Sequence, residues 1–535
     1  MPASLSPWSE LAILWRLFVD VGPYLRNPLT PEECHRRVRV GLSRRSASFL
    51  EMLEHGVFAV PTSPYRRLLE HADVGLPDLR RSVEDKGVEG TLAELHAAGV
   101  YLTLGEFKGR TPVVRGGLTI DTRSRDFDNP LSGRHFMTET GGSRSSGTRV
   151  YVDLAHYEQD AIYDYLFAEA FGLLDRPWGS WRTTPPHGAG IKSHLSRAKL
   201  GRRSVHWFSQ TRLRLRSRAW KHAVLMETVF LGSLIARRPL TRPRYVPLAE
   251  AWRVAAWLEE CREAGTPALL NTNAASSVRV AMAALERGMD ISGTVFRVGG
   301  EPFTDAKASV LRAAGTQWAS HYTMGETGRI AVACARGGAV DDAHIVEDKM
   351  AVIQEPRRGG SGAPAPVNVY TTLHGATPKL MLNVESDDYG PLVRRSCGCL
   401  LDEVGYDLHI QDIRSWEKLT SEGMNFLGAD LLRLVEEVLP ARFGGNPTDY
   451  QFLEEEENGL PKVALLVSPR VGGVDEESLM GTVLSFLDTT PGSQDDNGDR
   501  WREGETLRVR RQEPIATGAS KVLALHTTRK AVERQ

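Results

Sequence analysis

Five stretches of the chain bring together residue types that can do chemistry. The first, TETGGSRSSGTRVYVD (138–153), crowds small and hydroxyl-bearing residues ahead of a β-like run. Glycine leaves backbone N–H groups open to an anion, and Ser and Thr add hydroxyl donors. Arg144 and Arg149 add charge, so the segment can cradle phosphates. A surface loop is the alternative, and the Gly-Lys-Ser/Thr ending of a Walker loop is absent. The second is VGGEPF (298–303), followed by SHYTMGETGRIAVAC (320–334). A strand ending in Gly-Gly lets a planar ligand approach the backbone, with Tyr322 and Glu326 in a loop nearby. Glutamate is a hard oxygen ligand suited to Mg²⁺; an exposed turn glutamate is the equal alternative. The third is TTLHGATPKLMLNVESDDYGPL (371–392), whose Asp387 and Asp388 are expected in a turn after a strand. A carboxylate there can accept from both hydroxyls of a ribose, or can simply be solvated.

The fourth is the set Cys334, His344, Cys397 and Cys399, a Cys₃His composition that can hold structural Zn²⁺. Its C-x-C spacing is tighter than the usual C-x₂-C, so independent buried cysteines are the alternative. The fifth is RQEPIATGASKVLALH (511–526), in which Lys521 follows a Gly-containing turn. A lone lysine is ordinarily a solvated charge.

The elements that position these residues follow from periodicity. Residues 1–125 alternate helical spacing with Gly and Pro breaks, as in SPYRRLLEHADVGLPDLRRSVEDKGVEG. Residues 126–414 change character: short apolar runs such as VRVAMAALERG, TVFRVGG, RIAVACA and NVYTTL alternate with helical stretches, the punctuation of an α/β fold. EPRRGGSGAPAP (355–366) reads as a hairpin loop between two strands. Residues 415–535 form a smaller α+β unit with a helix (GADLLRLVEEVL), a strand (KVALLVSP), a second helix (ESLMGTVLSFL) and a late strand (ETLRVRRQE). DTTPGSQDDNGDR reads as a mobile loop inside it. There is no internal repeat.

Bulk properties exclude several classes. At 535 residues, 41% hydrophobic and 25% charged, the composition is that of a globular protein with a large core. Lys+Arg is 66 against Asp+Glu 67, and no basic tract is interleaved with aromatics, so no nucleic-acid partner is expected. Leu11 to Val21 is broken by Arg16 and Asp20 and reads as an amphipathic helix with Trp15 and Phe18 on its apolar side, packed on its own domain, with membrane-surface contact the alternative. No integral membrane segment is expected. MPASLSPWSE has no basic n-region or cleavage site, and five cysteines are no disulfide scaffold, so a cytoplasmic protein is expected.

The order of these motifs resembles the adenylate-forming superfamily, in particular phenylacetate–CoA ligase and its relatives, from about Ser63 onward. Thr140, Gly142, Ser143, Arg144, Ser145, Ser146, Gly147, Thr148 and Arg149 look like its phosphate-binding loop. Gly299-Gly300-Glu301-Pro302 looks like its Gly-Glu-Pro motif. Tyr322 to Glu326 looks like Tyr-Gly-x-Thr-Glu, and Asp388 falls where the ribose-binding Asp sits. Arg414 matches the hinge Arg, with Glu417 near the hinge acid, and Gly423-Met424-Asn425 is similar to Gly-Val-Asn. Lys521 matches the C-terminal catalytic Lys, and the Cys/His set resembles a zinc site of this branch. The chain also departs from the pattern. The loop lacks Gly-Lys-Pro, Gly325 replaces the motif Thr, Asn383 and Val384 replace Arg-Tyr, and Ile413 replaces the hinge Gly. Arg144 or Arg149, and Thr323 or Thr327, are the candidates to supply the missing contacts.

The resemblance implies a large N-terminal α/β domain, with its helical segment at 1–125 and AMP-binding core at 126–414. A small mobile C-terminal domain would occupy 415–535. It implies ATP and Mg²⁺ as cofactors, CoA as co-substrate, a structural Zn²⁺, and Lys521, Glu326 and Arg414 as catalytic residues. The partners would be a small carboxylic acid and the thiol of CoA or a carrier protein, and a homodimer is compatible with it. TTPPHGAGIKSH (183–194) occupies the stretch that lines the acyl pocket in relatives. His187 and His194 can touch substrate there or be core or surface histidines. Three readings compete: an acid–CoA ligase, an acyl-protein synthetase similar to that of bioluminescent bacteria, and a degenerate nucleotide- or protein-binding relative.

Overall fold

The computed structural model describes residues 7–139, 149–184, 189–202, 206–210, 220–300, 302–356, 366–415, 419–421, 424–426, 428–457, 460–489, 507–516 and 522–527. Among the described residues the largest sheet has ten strands. Its order is Leu392–Arg394, Leu408–Ile410, Ala343–Ile345, Gly328–Ala333, Gln317–Met324, Val295–Gly299, Leu269–Thr272, Trp178–Arg182, His206–Ser209 and Arg244–Tyr245. From Gln317–Met324 to Arg244–Tyr245 the pairing is parallel; on the other side it is antiparallel.

Alternation along these strands builds two cores. Leu269, Val295 and Ala319 join a cluster on one face, which also takes Tyr163, Leu166 and Phe167 of the helix Leu154–Ala170. Leu270, Phe296 and Val298 point the other way, against the helices Trp252–Glu263, Ala274–Arg287 and Asp305–Ala313. Strands buried on both faces read as near-continuous apolar runs, which is why the sequence shows them as such. VRVAMAALERG is not one of them. It lies in the helix Ala274–Arg287, with Val280, Ala281 and Ala284 on one buried stripe and Gly288 closing the end at φ 65°.

The N-terminal helices share the first core with the sheet through Phe49, Leu53, Leu69 and Leu92. The hairpin expected around 355–366 is present: Met350–Pro356 pairs antiparallel with Pro366–Thr372, with Pro356 opposite Pro366. The C-terminal unit has its own core around Leu434, Tyr450, Phe452, Leu465 and Leu479. Its sheet order is Leu507–Arg511, Leu460–Val467, Tyr450–Glu457 and Leu525–Thr527. Tyr450–Glu457 was not legible as a strand, because four consecutive glutamates mask its alternation. The segment expected as a mobile loop at 488–500 lies almost wholly outside the described residues.

The helix Pro7–Arg26 packs on its own domain, burying Leu17, Val21, Tyr24 and Leu25 against Met226, Val229 and Phe230 of the helix Trp220–Ile235. Trp15 is not on that face: it is 67% exposed. The packing stripe is set by the close crossing at Gly232, where a Cβ would stand 2.2 Å from Val21 Cγ1. No described helix is long and apolar enough to cross a membrane.

Candidate functional site

Three segments distant in sequence converge beside the strand Gln317–Met324 of the large sheet. Tyr322 lies on the strand Gln317–Met324 rather than in a loop, and its hydroxyl donates to Asp388 Oδ2 at 3.0 Å. Asp388 is likewise on a short strand, not in a turn: Asp388 and Tyr389 pair with Ser415 and Arg414. The backbone N–H of Asp388 is held by the Ser386 hydroxyl at 3.0 Å. Burial drives the Tyr322 phenol well above its ordinary range, and the Asp388 carboxylate adds to this, so it stays a donor. Arg414 reaches Asp341 at 3.2 Å. The same Asp341 carboxylate accepts the backbone N–H groups of Asp412 and Ile413 at 2.8 and 2.9 Å, fixing a turn in which Asp412 has φ 49°.

Glu326 sits in the turn between Gln317–Met324 and Gly328–Ala333, next to a register shift between Tyr322 and Thr323 that re-aims the strand end. It is buried, and its carboxylate is paired with Lys108 at 2.6 Å. Thr327 is fully buried with a hydroxyl that has no hydrogen-bond partner among the described residues, whereas Thr323 is exposed. Gly328 is required here: at φ 82°, a Cβ would lie 2.4 Å from the His156 ring. The Gly299-Gly300 pair also has a backbone reason. A Cβ on Gly299 would meet the His321 carbonyl at 2.7 Å, and Gly300 has φ 84°. Pro302 accepts from Lys307 Nζ at 3.0 Å.

A layer of buried charge lies between the helix Leu154–Ala170 and the sheet. Asp160 pairs with Lys192 and, at 3.2 Å, with Lys349. Asp164 pairs with Arg297 and, at 2.8 Å, with Arg329. Burial together with Arg329, Arg297, Lys192 and Arg182 drives His321 well below its usual range, and it packs edge-on against Phe167. Burial also takes His156 down to about 3. His194, a candidate substrate contact, is a core residue: it stacks on Trp207, contacts Ser180 at 3.1 Å, and is held at about 3 by burial. Sequence reasoning missed this layer. Its local signal was a pair of aspartates four apart, Asp160 and Asp164, on one helix.

The Cys/His set is assembled. Cys334 Sγ lies 3.6 Å from Cys397 Sγ, His344 Nε2 is 3.6 Å from Cys397 Sγ and 3.2 Å from Cys399 Sγ, and all four ligand atoms lie within 4.8 Å of one another. Two adjacent strand ends supply Cys334 and His344, and Cys399 caps the helix Leu400–Val404 after Gly398 at φ 68°. His344 Nδ1 lies 2.7 Å from the Tyr406 carbonyl. Donation there leaves Nε2 as the free ligand atom, the arrangement that a zinc-binding histidine needs. Hydrogen bonds from the Cys334 thiol and from His344 push the Cys399 thiol below its usual range. The donors fit a closed tetrahedral Zn²⁺ site.

No family model matches the sequence, and no curated protein matches it. The chain is similar in structure to a CoA ligase. That ligase is 2-hydroxyisobutyryl-CoA ligase, in complex with 2-HIB-AMP and CoA: 16% identity, 94% of this chain and 91% of that chain covered, TM-score 0.44. ATP-bound MatB from Rhodopseudomonas palustris is similar at 10% identity over 76% and 68% of the two chains, TM-score 0.44. O-succinylbenzoate coenzyme A synthetase from Bacillus subtilis, with ATP and magnesium ion, is similar at 11% identity over 74% and 70%, TM-score 0.44. Likenesses at this level decide nothing about chemistry.

Several expected site residues lie outside the described residues: Thr140 to Thr148, His187, Glu301, Glu417, Gly423 and Lys521. Their flanks are described. Phe136–Glu139 and Arg149–Val152 pair as a hairpin around 140–148, with exposed Arg149 opposite Glu139. Ala516 and Val522 bridge around 517–521. Gln451 ties the two flanks together, accepting from the Ile515 N–H at 2.7 Å and donating to the Leu523 carbonyl at 2.9 Å.

Proposed function

We propose that the protein activates a carboxylic acid with ATP and passes the acyl group to a thiol, most simply that of CoA. A carboxylate oxygen of the acid attacks the α-phosphorus, the bond to the β-phosphate bridging oxygen breaks, and pyrophosphate leaves. The thiolate then attacks the carbonyl carbon, AMP leaves, and the thiol proton goes to solvent. Both steps place charge on phosphate and carbonyl oxygens, so catalysis is mainly positioning and electrostatics.

The observation that supports this reading best is the convergence of Tyr322, Asp388 and the Arg414 strand. We assign Asp388 to the ribose hydroxyls, Tyr322 to packing and orienting beside it, and Arg414 to the nucleotide end of the hinge. Glu326 is assigned to the Mg²⁺ of the nucleotide, with Thr327 as the hydroxyl that replaces the missing motif threonine. The 140–149 segment is assigned to the β- and γ-phosphates. Gly299, Gly300, Glu301 and Pro302 take the adenine side, and Lys521 bridges the carboxylate and α-phosphate. The phenylacetate–CoA ligase-like branch, a mobile unit at 415–535 and a cytoplasmic location belong to the same proposal. Cys334, His344, Cys397 and Cys399 would hold Zn²⁺ in a structural role.

Pyrophosphate exchange with a panel of aryl and fatty acids tests the reading. Acid-dependent exchange that Lys521→Ala abolishes while ATP binding persists is expected. No exchange with any acid, in protein that binds ATP, would mean the first step is absent. CoA-dependent release of AMP separates a CoA ligase from a carrier-protein loader.

A further inference from the structure

The packed helices Pro7–Arg26 and Trp220–Ile235 each turn an apolar stripe outward. Trp15 is 67% exposed and Val19 48%, one helical turn apart. On the partner helix Leu231 is 52%, Leu234 58% and Ile235 59% exposed, continuing the row begun by Val224. These six side chains account for more than half of the large exposed hydrophobics among the described residues, and they sit on one helix pair. Scattered exposed apolar residues mean nothing, but a concentrated patch marks a contact surface.

The charge around the patch selects the partner. Of the basic residues between 202 and 244, the described side chains are Arg202, Arg237, Arg238, Arg242 and Arg244, and Glu227 is the one acid of that stretch. Arg16 is exposed on the first helix, and Arg237 and Arg238 are exposed just past the end of the second. The described carboxylates of this pair are already engaged: Glu227 by Arg242 at 2.6 Å and Asp20 by His135 at 2.9 Å. Exposed Trp and Leu flanked by Arg237 and Arg238 is the composition of a helix that lies in a lipid–water interface. A polar protein surface would leave the apolar stripe uncovered, and a second copy would bring like charges together.

We infer that this helix pair is a peripheral docking surface for an anionic lipid bilayer. Trp15, Val19, Leu231 and Ile235 enter the interface, and Arg237 and Arg238 meet lipid phosphates. The surface is independent of the nucleotide chemistry proposed above.

The test is flotation of the full-length protein with two kinds of vesicle: pure phosphatidylcholine, and roughly three parts phosphatidylcholine to one part phosphatidylglycerol. Binding to the anionic vesicles at low salt, released by high salt and absent on the neutral ones, is expected. Arg237→Glu/Arg238→Glu and Leu231→Ser/Ile235→Ser should each weaken it by roughly tenfold. Thermal unfolding of both variants verifies that the fold is kept, and Trp15→Phe should remove the fluorescence quenching caused by brominated lipid. Absence of binding to anionic vesicles overturns the inference, as does binding that both variants leave unchanged. A dimer in light scattering that these variants dissolve, without vesicle binding, would assign the patch to a second copy instead.

Discussion

The Tyr322 hydroxyl and Asp388 Oδ2 meet at 3.0 Å across 66 residues of sequence, beside the strand that carries Arg414. If Asp388 takes the ribose hydroxyls, Asp388→Ala removes charge-assisted hydrogen bonds worth about 1.5–3 kcal/mol each. AMP binding by calorimetry should then weaken by roughly a hundredfold or more, and Asp388→Asn by less. Tyr322→Phe, which only frees the carboxylate, should cost about tenfold at most. Equal AMP affinity in all three variants would remove the nucleotide from Tyr322 and Asp388.

Lys108 occupies the carboxylate assigned to Mg²⁺, at 2.6 Å from Glu326 Oε1. An ammonium and a divalent cation compete for the same oxygens. Lys108→Met should therefore lower the Mg²⁺ concentration that gives half-maximal pyrophosphate exchange, and Glu326→Gln should raise it. An unchanged Mg²⁺ titration in both variants would leave the pair a purely structural ion pair.

Asp348 is buried and accepts from Tyr406 at 2.6 Å and Tyr163 at 2.9 Å. Burial nonetheless pushes its carboxyl up to about 6. Between about pH 4 and 6 the folded chain holds a proton that the unfolded chain releases, so this group's contribution to stability is full below that window and falls as pH rises through it. A shift of about 2 pKa units amounts to about 3 kcal/mol across the window. Asp348→Asn, which cannot ionise, should lose that slope. Thermal unfolding of both proteins at pH 4, 5 and 6 reads it as a narrowing gap in Tm; a constant gap would sink the assignment.

Glu436, in the helical turn Leu434–Val438 of the C-terminal unit, is buried against Lys307 and the Thr304 hydroxyl at the start of the helix Asp305–Ala313. These contacts tie that unit to the residues just after Gly299-Gly300. Glu436→Ala would leave the Lys307 ammonium buried without a counter-charge, at a cost of about 3–5 kcal/mol. Lys307→Met/Glu436→Met should recover much of this loss. Denaturant unfolding compares the three, and a double variant no more stable than Glu436→Ala would mean the pair carries no buried charge.

Metal analysis of the purified protein should find about one Zn²⁺ per chain, held by the three cysteines and His344. Cys399→Ser and strong chelation should each lower Tm and expose thiols to a disulfide reagent. Metal-free protein of unchanged stability would make the four residues an ordinary buried cluster.

Much of this was legible in the chain. The α/β punctuation of 126–414, the hairpin at 355–366, the strand ending at Gly299 and the Cys/His grouping follow from local periodicity, turn chemistry and composition. VRVAMAALERG misled because a short apolar run fits a buried helix as well as a strand, and only its neighbours decide. Glu326 and Asp388 could be flagged by type, yet their partners could not: Lys108 lies 218 residues from Glu326, and nothing local encodes that pairing.

The sequence by itself determined the elements and the candidate chemistry, since helix stripes, strand alternation, glycine turns and ligand types are properties of neighbouring residues. Only the tertiary structure decided which carboxylates are already neutralised, that Asp160 and Asp164 anchor a buried layer of cations, and that Trp15 faces outward. Those outcomes depend on desolvation and on charges brought from far along the chain, and both exist only once the chain has packed.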